Sequence, residues 1–171
     1  MRLNIGCGRH VLDGWTNIDV QRSALAKRPP EILCDAREIP LPGECADEIQ
    51  AIHLWEHFYL WECDALLAEW RRLLKPGGTL ALELPNLVKC AQNIVDDRMK
   101  GGKDVDQLGM WGLYGDPREE DPYMCHRWAW SPKTLRKFLQ ERGFRDAREH
   151  PTQWHPAGRE HRDMRIEAIK A

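Results

Sequence analysis

Two glycines and a carboxylate near the start of the chain have the spacing that best suits ligand chemistry. Leu3-Asn4-Ile5 alternates apolar and polar residues as a short strand does, and Gly6 and Gly8 follow it directly. Glycine permits a sharp turn and lets a ligand approach the backbone where a Cβ would block it. Asp19 closes a second apolar run, eleven residues after Gly8. The pattern predicts a ligand site at the carboxyl ends of two strands, where Asp19 could accept hydrogen bonds from a ribose diol.

Four further polar residues could contribute to chemistry. Asp35 ends a third short apolar run, although an aspartate there could equally cap a helix. Glu56 and His57 follow a fourth predicted strand, where they could approach a substrate or simply begin the next helix. His126 lies in a long stretch without periodicity and could accept a proton, or it could tie that stretch to the sheet together with Arg127. We take His126 and His57 as the candidate catalytic residues.

Composition narrows the class of protein. The 171 residues contain 25 Lys and Arg against 27 Asp and Glu, a formal net charge of −2, which argues against a dominant nucleic-acid surface. The six cysteines form no CxxC pair, and His150, His155 and His161 show no metal-ligand spacing, so we expect reduced thiols and no metal site. No apolar stretch has the length of a membrane span, and the strand-like start leaves no room for a signal peptide. A cytoplasmic location is therefore expected.

Strands and helices alternate along the chain. The predicted strands cover residues 3–5, 14–20, 31–35, 46–53, 79–85, 145–152 and 162–169. Helices are predicted over 62–75, ended by Pro76-Gly77-Gly78, over 86–99, and from the N-cap Ser131 to Gly143. This order predicts one α/β domain over residues 1–171, with a mostly parallel sheet covered on both faces and a final hairpin inserted antiparallel at one edge.

Residues 100–130 form an irregular insert in this scheme. They show no hydrophobic period and include several glycines and the aromatic residues Trp111, Tyr114, Tyr123, Trp128 and Trp130. An unpatterned stretch of this length inside a domain is usually a lid, a binding loop or disordered. We expect a mobile substrate lid.

Five segments together resemble one family. LNIGCG, GWTNIDV, CDAREIPLP, DEIQAIHLWEHF and LLAEWRRLLKPGGTLALELPN are similar to the class I S-adenosylmethionine-dependent methyltransferases, and look most like the compact bacterial, type 11-like kind. The resemblance covers about residues 2–90, with a weaker match at SPKTLRKFLQERGF. RLLKPGG before a strand is fairly specific, whereas GCG is specific only in combination. The resemblance implies a three-layer Rossmann-like fold, a seven-stranded sheet with an antiparallel edge hairpin strand, and S-adenosylmethionine as cofactor.

The resemblance also implies cofactor contacts near the N-terminus. Gly6-Cys7-Gly8 would face the methionine portion, and Asp19, followed by Val20, would bind the ribose hydroxyls. Two positions depart from the family pattern: Asn4 replaces a common acidic residue, and His10 stands where a third glycine would fall. Asn4 lacks the formal charge that favours an ammonium group, and His10 suggests that the segment after Gly8 is loop rather than helix.

Four more contacts follow from the same resemblance. Asp35 would bind the adenine amino group, the backbone of Ala36 would reach a ring nitrogen, and His53 and Leu54 would lie near the sulfonium. The cofactor already carries a positive leaving group, so the protein mainly has to align nucleophile, methyl and sulfur. A general base is needed only if the nucleophile loses a proton in the step, and the sequence accordingly shows no obligatory catalytic signature.

Two alternatives stay open at this point. A nicotinamide-dependent Rossmann oxidoreductase shares the glycine turn, but only two of the three glycines of GxGxxG are present, and Asp19 follows at about half the usual ~20 residues. A non-catalytic, partner-binding subunit could keep the same fold. For an enzyme we expect a small-molecule or saccharide-type acceptor rather than a nucleic acid.

Overall fold

One sheet of seven strands organises the described part of the chain. The computed structural model describes residues 1–97, 108–116, 121–154 and 161–171. The strands are β1 (Arg2–Ile5), β2 (Thr16–Asp19), β3 (Ile32–Leu33), β4 (Ala46–Ile52), β5 (Leu74–Pro85), β6 (Phe144–His150) and β7 (Asp163–Lys170). Their spatial order is β3-β2-β1-β4-β5-β7-β6. All neighbours are parallel except β7, which is antiparallel to both β5 and β6.

Four helices accompany the sheet within those ranges: α1 (Cys63–Leu73), α2 (Leu87–Val95), α3 (Leu108–Tyr114) and α4 (Pro132–Gln140). Short 3₁₀ turns occupy Trp55–His57 and Pro122–Met124. Asn86 caps α2 by accepting from two backbone N–H groups, and Ser131 forms a capping box with Thr134 at the start of α4. No helix among the described residues is long and apolar enough to cross a membrane.

The register of strand pairing places the carboxyl ends of β1, β2 and β4 side by side, and the sequence predicts the site at these ends. Ile5 at the end of β1 pairs with Ile18 in β2 and with Ala51 in β4. These residues are almost wholly buried, because the central strands are covered on both faces. The turn after β1, the carboxylate that ends β2 and the first residues after β4 therefore open onto the same edge of the sheet. The predicted mostly parallel, seven-stranded α/β sheet is confirmed, with its antiparallel strand β7 second from the edge.

The prediction that Pro76-Gly77-Gly78 ends the first helix is wrong. Helix α1 already ends at Leu73, because Leu74 is extended and fully buried as the first residue of β5. The β4–β5 pairing then jumps from Ala46–Leu74 to Glu48–Thr79. The intervening residues form a bulge in which Gly77 has φ +77°. The Pro-Gly-Gly sequence shapes the start of a strand.

The prediction of an irregular insert over 100–130 is wrong in part. Residues 108–114 form α3, which packs on α2 and buries Trp111. A Cβ at Gly109 would lie 2.2 Å from the Cys90 carbonyl oxygen, and one at Gly112 would lie 2.3 Å from the Cys90 Sγ. Packing this close requires glycine at both positions. Because glycines replace apolar residues on the face of α3 that packs against α2, the sequence shows no hydrophobic period there. Residues 98–107 and 117–120, which include the predicted end of the second helix at 99, lie outside the described residues.

Substituting Gly109 tests this helix contact. The added methyl group of Gly109→Ala should force α3 away from α2 and lower the free energy of unfolding by about 1–3 kcal/mol. Urea unfolding measures the difference. The control Met110→Ala truncates a side chain that is 39% exposed on the same helix and should change stability by less than about 0.5 kcal/mol. An unchanged midpoint in Gly109→Ala would contradict the close packing.

Candidate active site

A cavity of about 920 Å³ opens at the carboxyl ends of β1, β2 and β4. Its walls come from the glycine turn, from the segments after β2, β3 and β4, and from the described part of the insert. The cavity brings together all the predicted cofactor-binding and catalytic residues: Gly6, Cys7, Gly8, Asp19, Val20, Asp35, Ala36, His53, Leu54, His57 and His126.

In the glycine turn after β1, the space beside Gly6 is occupied by a side chain, whereas the space beside Gly8 is open. Gly6 and Gly8 have φ values of +69° and +50°. A Cβ on Gly6 would lie 2.7 Å from the Leu54 side chain, whereas a Cβ on Gly8 would meet nothing within 4 Å. Asp19 Oδ2 accepts a hydrogen bond of 2.7 Å from the Gly8 N–H, which ties the turn to the end of β2. Burial, followed by the charge of Asp19, raises the pKa of Cys7 to about 12, so that its thiol stays neutral.

Asp35 faces the cavity as an ionised carboxylate. Hydrogen bonds from the Arg37 side chain, one of them 2.7 Å long, hold the pKa of Asp35 below its usual range. Arg37 also reaches Glu62 at 2.7 Å, so the guanidinium bridges two carboxylates. The Ala36 carbonyl accepts from the Trp70 indole at 2.9 Å, which fixes the backbone beside Asp35. A ligand amino group at this wall would share Asp35 with Arg37.

Asn4, which replaces the acidic residue of the family pattern, is buried in a side-chain network. Its Oδ1 accepts from Gln50 at 3.2 Å, and its amide donates to Asn17 Oδ1 at 2.9 Å and to the His10 carbonyl at 3.0 Å. These bonds join β1 to β2, β4 and the segment after Gly8. That segment is loop, as the histidine at position 10 suggested. Asn4 is thus engaged by its own protein on both its donor and acceptor atoms.

A row of alternating charges lies behind the cavity. His53, at φ +51°, places Nδ1 2.9 Å from Glu56 Oε1 and Nε2 3.4 Å from Asp163 Oδ2. Asp163, in turn, accepts from Arg162 at 2.6 Å and 3.0 Å. Burial alone would lower the pKa of His53, but the carboxylates of Asp163 and Glu56 outweigh it and raise the pKa to about 9. At neutral pH these four residues form two compensated pairs.

Glu56 is 2% exposed and connects this row to the histidines of the cavity. Burial alone would raise its pKa, but the hydrogen bond with His53 and the positive charge of that ring lower it to about 2. The backbone carbonyl of Glu56 also accepts from the N–H of Arg127 at 2.8 Å. The insert is therefore hydrogen-bonded to the 3₁₀ turn that follows β4. This contact agrees with the alternative in which Arg127 ties the insert to the sheet.

His57 and His126 meet edge to face, with ring centroids 4.9 Å apart. Nδ1 of His57 lies 3.2 Å from the Cys125 carbonyl, and Nδ1 of His126 lies 2.9 Å from the Gly112 carbonyl. Because a carbonyl can only accept, each Nδ1 donates, and each neutral ring carries its lone pair on Nε2. Burial lowers the pKa of His126, an effect that Glu56 opposes and His57 reinforces.

The sequence analysis missed Arg162 and Asp163 and did not place Glu56 in the interior. One signal was available for Asp163: it immediately precedes the alternating apolar residues of the last strand. Its partner His53, however, lies at the end of β4, and only the three-dimensional arrangement brings the two together.

Replacing His53 tests the charge row. His53→Gln leaves two buried carboxylates without their shared cation, which should lower the free energy of unfolding by about 3–5 kcal/mol. His150→Gln, on the exposed edge strand β6, is the matched control and should change it by less than about 0.5 kcal/mol. Urea unfolding of the three proteins measures both effects. Equal midpoints would show that the carboxylates do not depend on His53.

Residues 3–82 match the family model described as a methyltransferase domain. Among solved structures, a SAM-dependent methyltransferase from Archaeoglobus fulgidus is 19% identical, with a TM-score of 0.63 over 99% of this chain and 85% of that chain. A Methanosarcina mazei SAM-dependent methyltransferase is 16% identical, with a TM-score of 0.63 over 99% of this chain and 91% of that one. No curated protein matches the chain significantly.

A third structure was solved with ligands. It is the Burkholderia thailandensis 1,6-didemethyltoxoflavin-N1-methyltransferase with bound 1,6-didemethyltoxoflavin and S-adenosylhomocysteine, 15% identical, with a TM-score of 0.63 over 99% of this chain and 70% of that one. At such identities the likeness establishes the fold, and the sheet order with β7 inserted differs from the 3-2-1-4-5-6 order of nicotinamide-binding Rossmann domains. The family match covers the glycine turn, Asp19 and Asp35 but less than half of the chain, and the solved structures show that the chain shares the fold of these methyltransferases.

Proposed function

We propose that the protein methylates a small-molecule or saccharide-type acceptor, bound in the same cavity as the cofactor. The observation that carries this proposal is one cavity of about 920 Å³, lined by all the predicted cofactor and catalytic residues. Its volume lies at the upper end of the about 300–1,000 Å³ typical of small-ligand pockets. A small acceptor also agrees with the Burkholderia thailandensis enzyme, whose structure contains one.

The residues of one wall fit the cofactor. The open side of Gly8 lets a ligand approach the turn, and the Asp19 carboxylate beside it can accept from ribose hydroxyls. We assign the methionine portion to Gly6, Cys7 and Gly8, and the ribose to Asp19 and Val20. When bound, S-adenosylmethionine supplies a methyl group on a positively charged sulfur, so these residues need only hold and orient it.

The adenine and sulfonium assignments complete that wall. We assign the adenine to the Asp35 carboxylate and the Ala36 backbone, and the region of the sulfur to His53 and Leu54. The Arg37 bridge keeps Asp35 ionised and oriented for an amino group. The Leu54 side chain closes the space above Gly6, which confines a ligand to the Gly8 side of the turn.

The acceptor occupies the opposite wall in this proposal. His57 and His126 line the cavity there, and both rings have an Nε2 lone pair that their own carbonyl partners leave free. We propose that these lone pairs activate the acceptor. The described part of the insert contributes Trp111, Tyr123 and His126 to the cavity wall, which supports its role as the cover over the acceptor.

Asp19→Ala should weaken binding of S-adenosylhomocysteine by about 1–3 kcal/mol, the range for loss of a hydrogen bond to a charged group. The control Asp13→Ala removes a carboxylate that is fully exposed and should bind normally. Isothermal titration calorimetry, with NADH as a second ligand, measures both variants. Normal binding by folded Asp19→Ala would remove Asp19 from the site, and binding of NADH in place of S-adenosylhomocysteine would contradict the proposed function.

Gly8→Val and Gly77→Val form a matched pair for the glycine turn. Both residues have positive φ and free space around the added side chain, so each valine should cost a similar conformational energy of about 1–2 kcal/mol. Only the valine at position 8 enters the cavity, and only Gly8→Val should abolish S-adenosylhomocysteine binding. Equal affinities in the two variants would make the turn purely structural.

A further inference from the structure

We infer that Glu56, His57 and His126 form a binding site for a divalent first-row transition-metal ion such as Zn²⁺. The inference rests on the proposed function, because the site lies at the acceptor end of the same cavity. It gives a specific role to the two Nε2 lone pairs: binding a cation that then holds the acceptor. The sequence analysis expected no metal site, and the three residues come from two distant segments of the chain.

The geometry is the first support. One ligand atom from each of the three side chains lies within 4.8 Å of the other two. Zinc bonds of about 2.0–2.2 Å in a tetrahedral site place neighbouring ligand atoms about 3.4 Å apart. Each pair of ligand atoms therefore has to close by at most about 1.4 Å, within reach of small side-chain rotations of the partly exposed His57.

The orientation of both imidazoles is the second support. Histidines that bind metals almost always donate their other ring N–H to a carbonyl or carboxylate, which fixes the tautomer and aims the lone pair. His57 donates Nδ1–H to the Cys125 carbonyl, and His126 donates Nδ1–H to the Gly112 carbonyl. His126 Nε2 then lies 3.9 Å from Glu56 Oε1. Two carbonyls of the insert thus orient both rings for a shared cation.

An unsatisfied carboxylate oxygen is the third support. Glu56 Oε1 is bonded to His53, but the buried Oε2 has no hydrogen-bond partner among the described residues. A buried polar atom left unpaired costs about 1–3 kcal/mol, and more when it is charged. A cation beside it removes that cost. His53 in this arrangement is a positioning residue, which holds the Glu56 carboxylate toward the two histidines.

The donor set indicates the class of metal. Two imidazole nitrogens and one carboxylate oxygen suit zinc, iron, cobalt or nickel, whereas magnesium and calcium prefer oxygen ligands throughout. Three protein ligands leave at least one position open, and both histidines line the cavity. An acceptor hydroxyl bound there would be oriented, and its pKa would fall as that of zinc-bound water does.

The test is cobalt binding by untagged protein that has been stripped of metal with a chelator. Co²⁺ bound by nitrogen and oxygen ligands gives visible absorption bands that report directly on coordination. We expect one equivalent to bind, with displacement by Zn²⁺. His57→Gln and His126→Gln should each weaken Co²⁺ binding at least about tenfold, since even losing a residue that orients a ligand costs about 10–100-fold. His150→Gln, on β6, is the control and should bind as the parent does.

The outcomes separate the metal site from the proposed function. No cobalt spectrum in the parent protein, or a spectrum that survives both His57→Gln and His126→Gln in folded protein, would overturn the metal site. Calorimetry with S-adenosylhomocysteine in the presence of chelator runs in parallel. Binding there without cobalt uptake leaves the proposed function standing and rejects the metal, whereas failure to bind the nucleoside rejects the function independently of any metal.

Discussion

The buried carboxylate of Glu56 is the constraint to which several elements of this molecule respond. An ionised side chain that is 2% exposed needs compensation by charge and hydrogen bonds. His53 supplies it from the end of β4 and is itself balanced by Asp163 at the start of β7. The backbone carbonyl of Glu56 also accepts a hydrogen bond from the N–H of Arg127 in the insert. One interior charge thus fixes the relative positions of the fourth strand, the last strand and the cover of the cavity.

The position of a residue in the fold could be predicted from the sequence where the signal is local. The glycine turn, Asp19 and Asp35 are recognisable because each stands directly after a short apolar run, and parallel strands collect such positions at one edge. Prediction failed where the determinant is tertiary. The residues near Gly109 do not predict α3, because Gly109 packs against Cys90 on another helix. The Pro-Gly-Gly bulge reads locally as a helix stop, and only the pairing of β5 with β4 shows that Leu74 is already strand.

Asn4 illustrates how a neutral group replaces a charged one at the same place. An acidic side chain there would be buried beside Gln50 and Asn17 and would need a cation to offset its desolvation. The amide instead is satisfied by its neighbours, donating twice and accepting once. The strand before the glycine turn is consequently held by hydrogen bonds within the protein. The charged groups near the cavity are supplied by residues farther along the chain.

The antiparallel direction of β7 has a consequence for the order in which the molecule is completed. Because β7 runs against its neighbours, it is its first residue, Asp163, that arrives at the carboxyl edge of the parallel strands. Chains are synthesised from the N-terminus, and local segments can fold before distant ones emerge. The strands that carry the glycine turn are therefore synthesised together with His53 and its nearer counterion Glu56, well before the second counterion, Asp163. The row of charges formed by Glu56, His53, Asp163 and Arg162 can be completed only after the last strand has been synthesised.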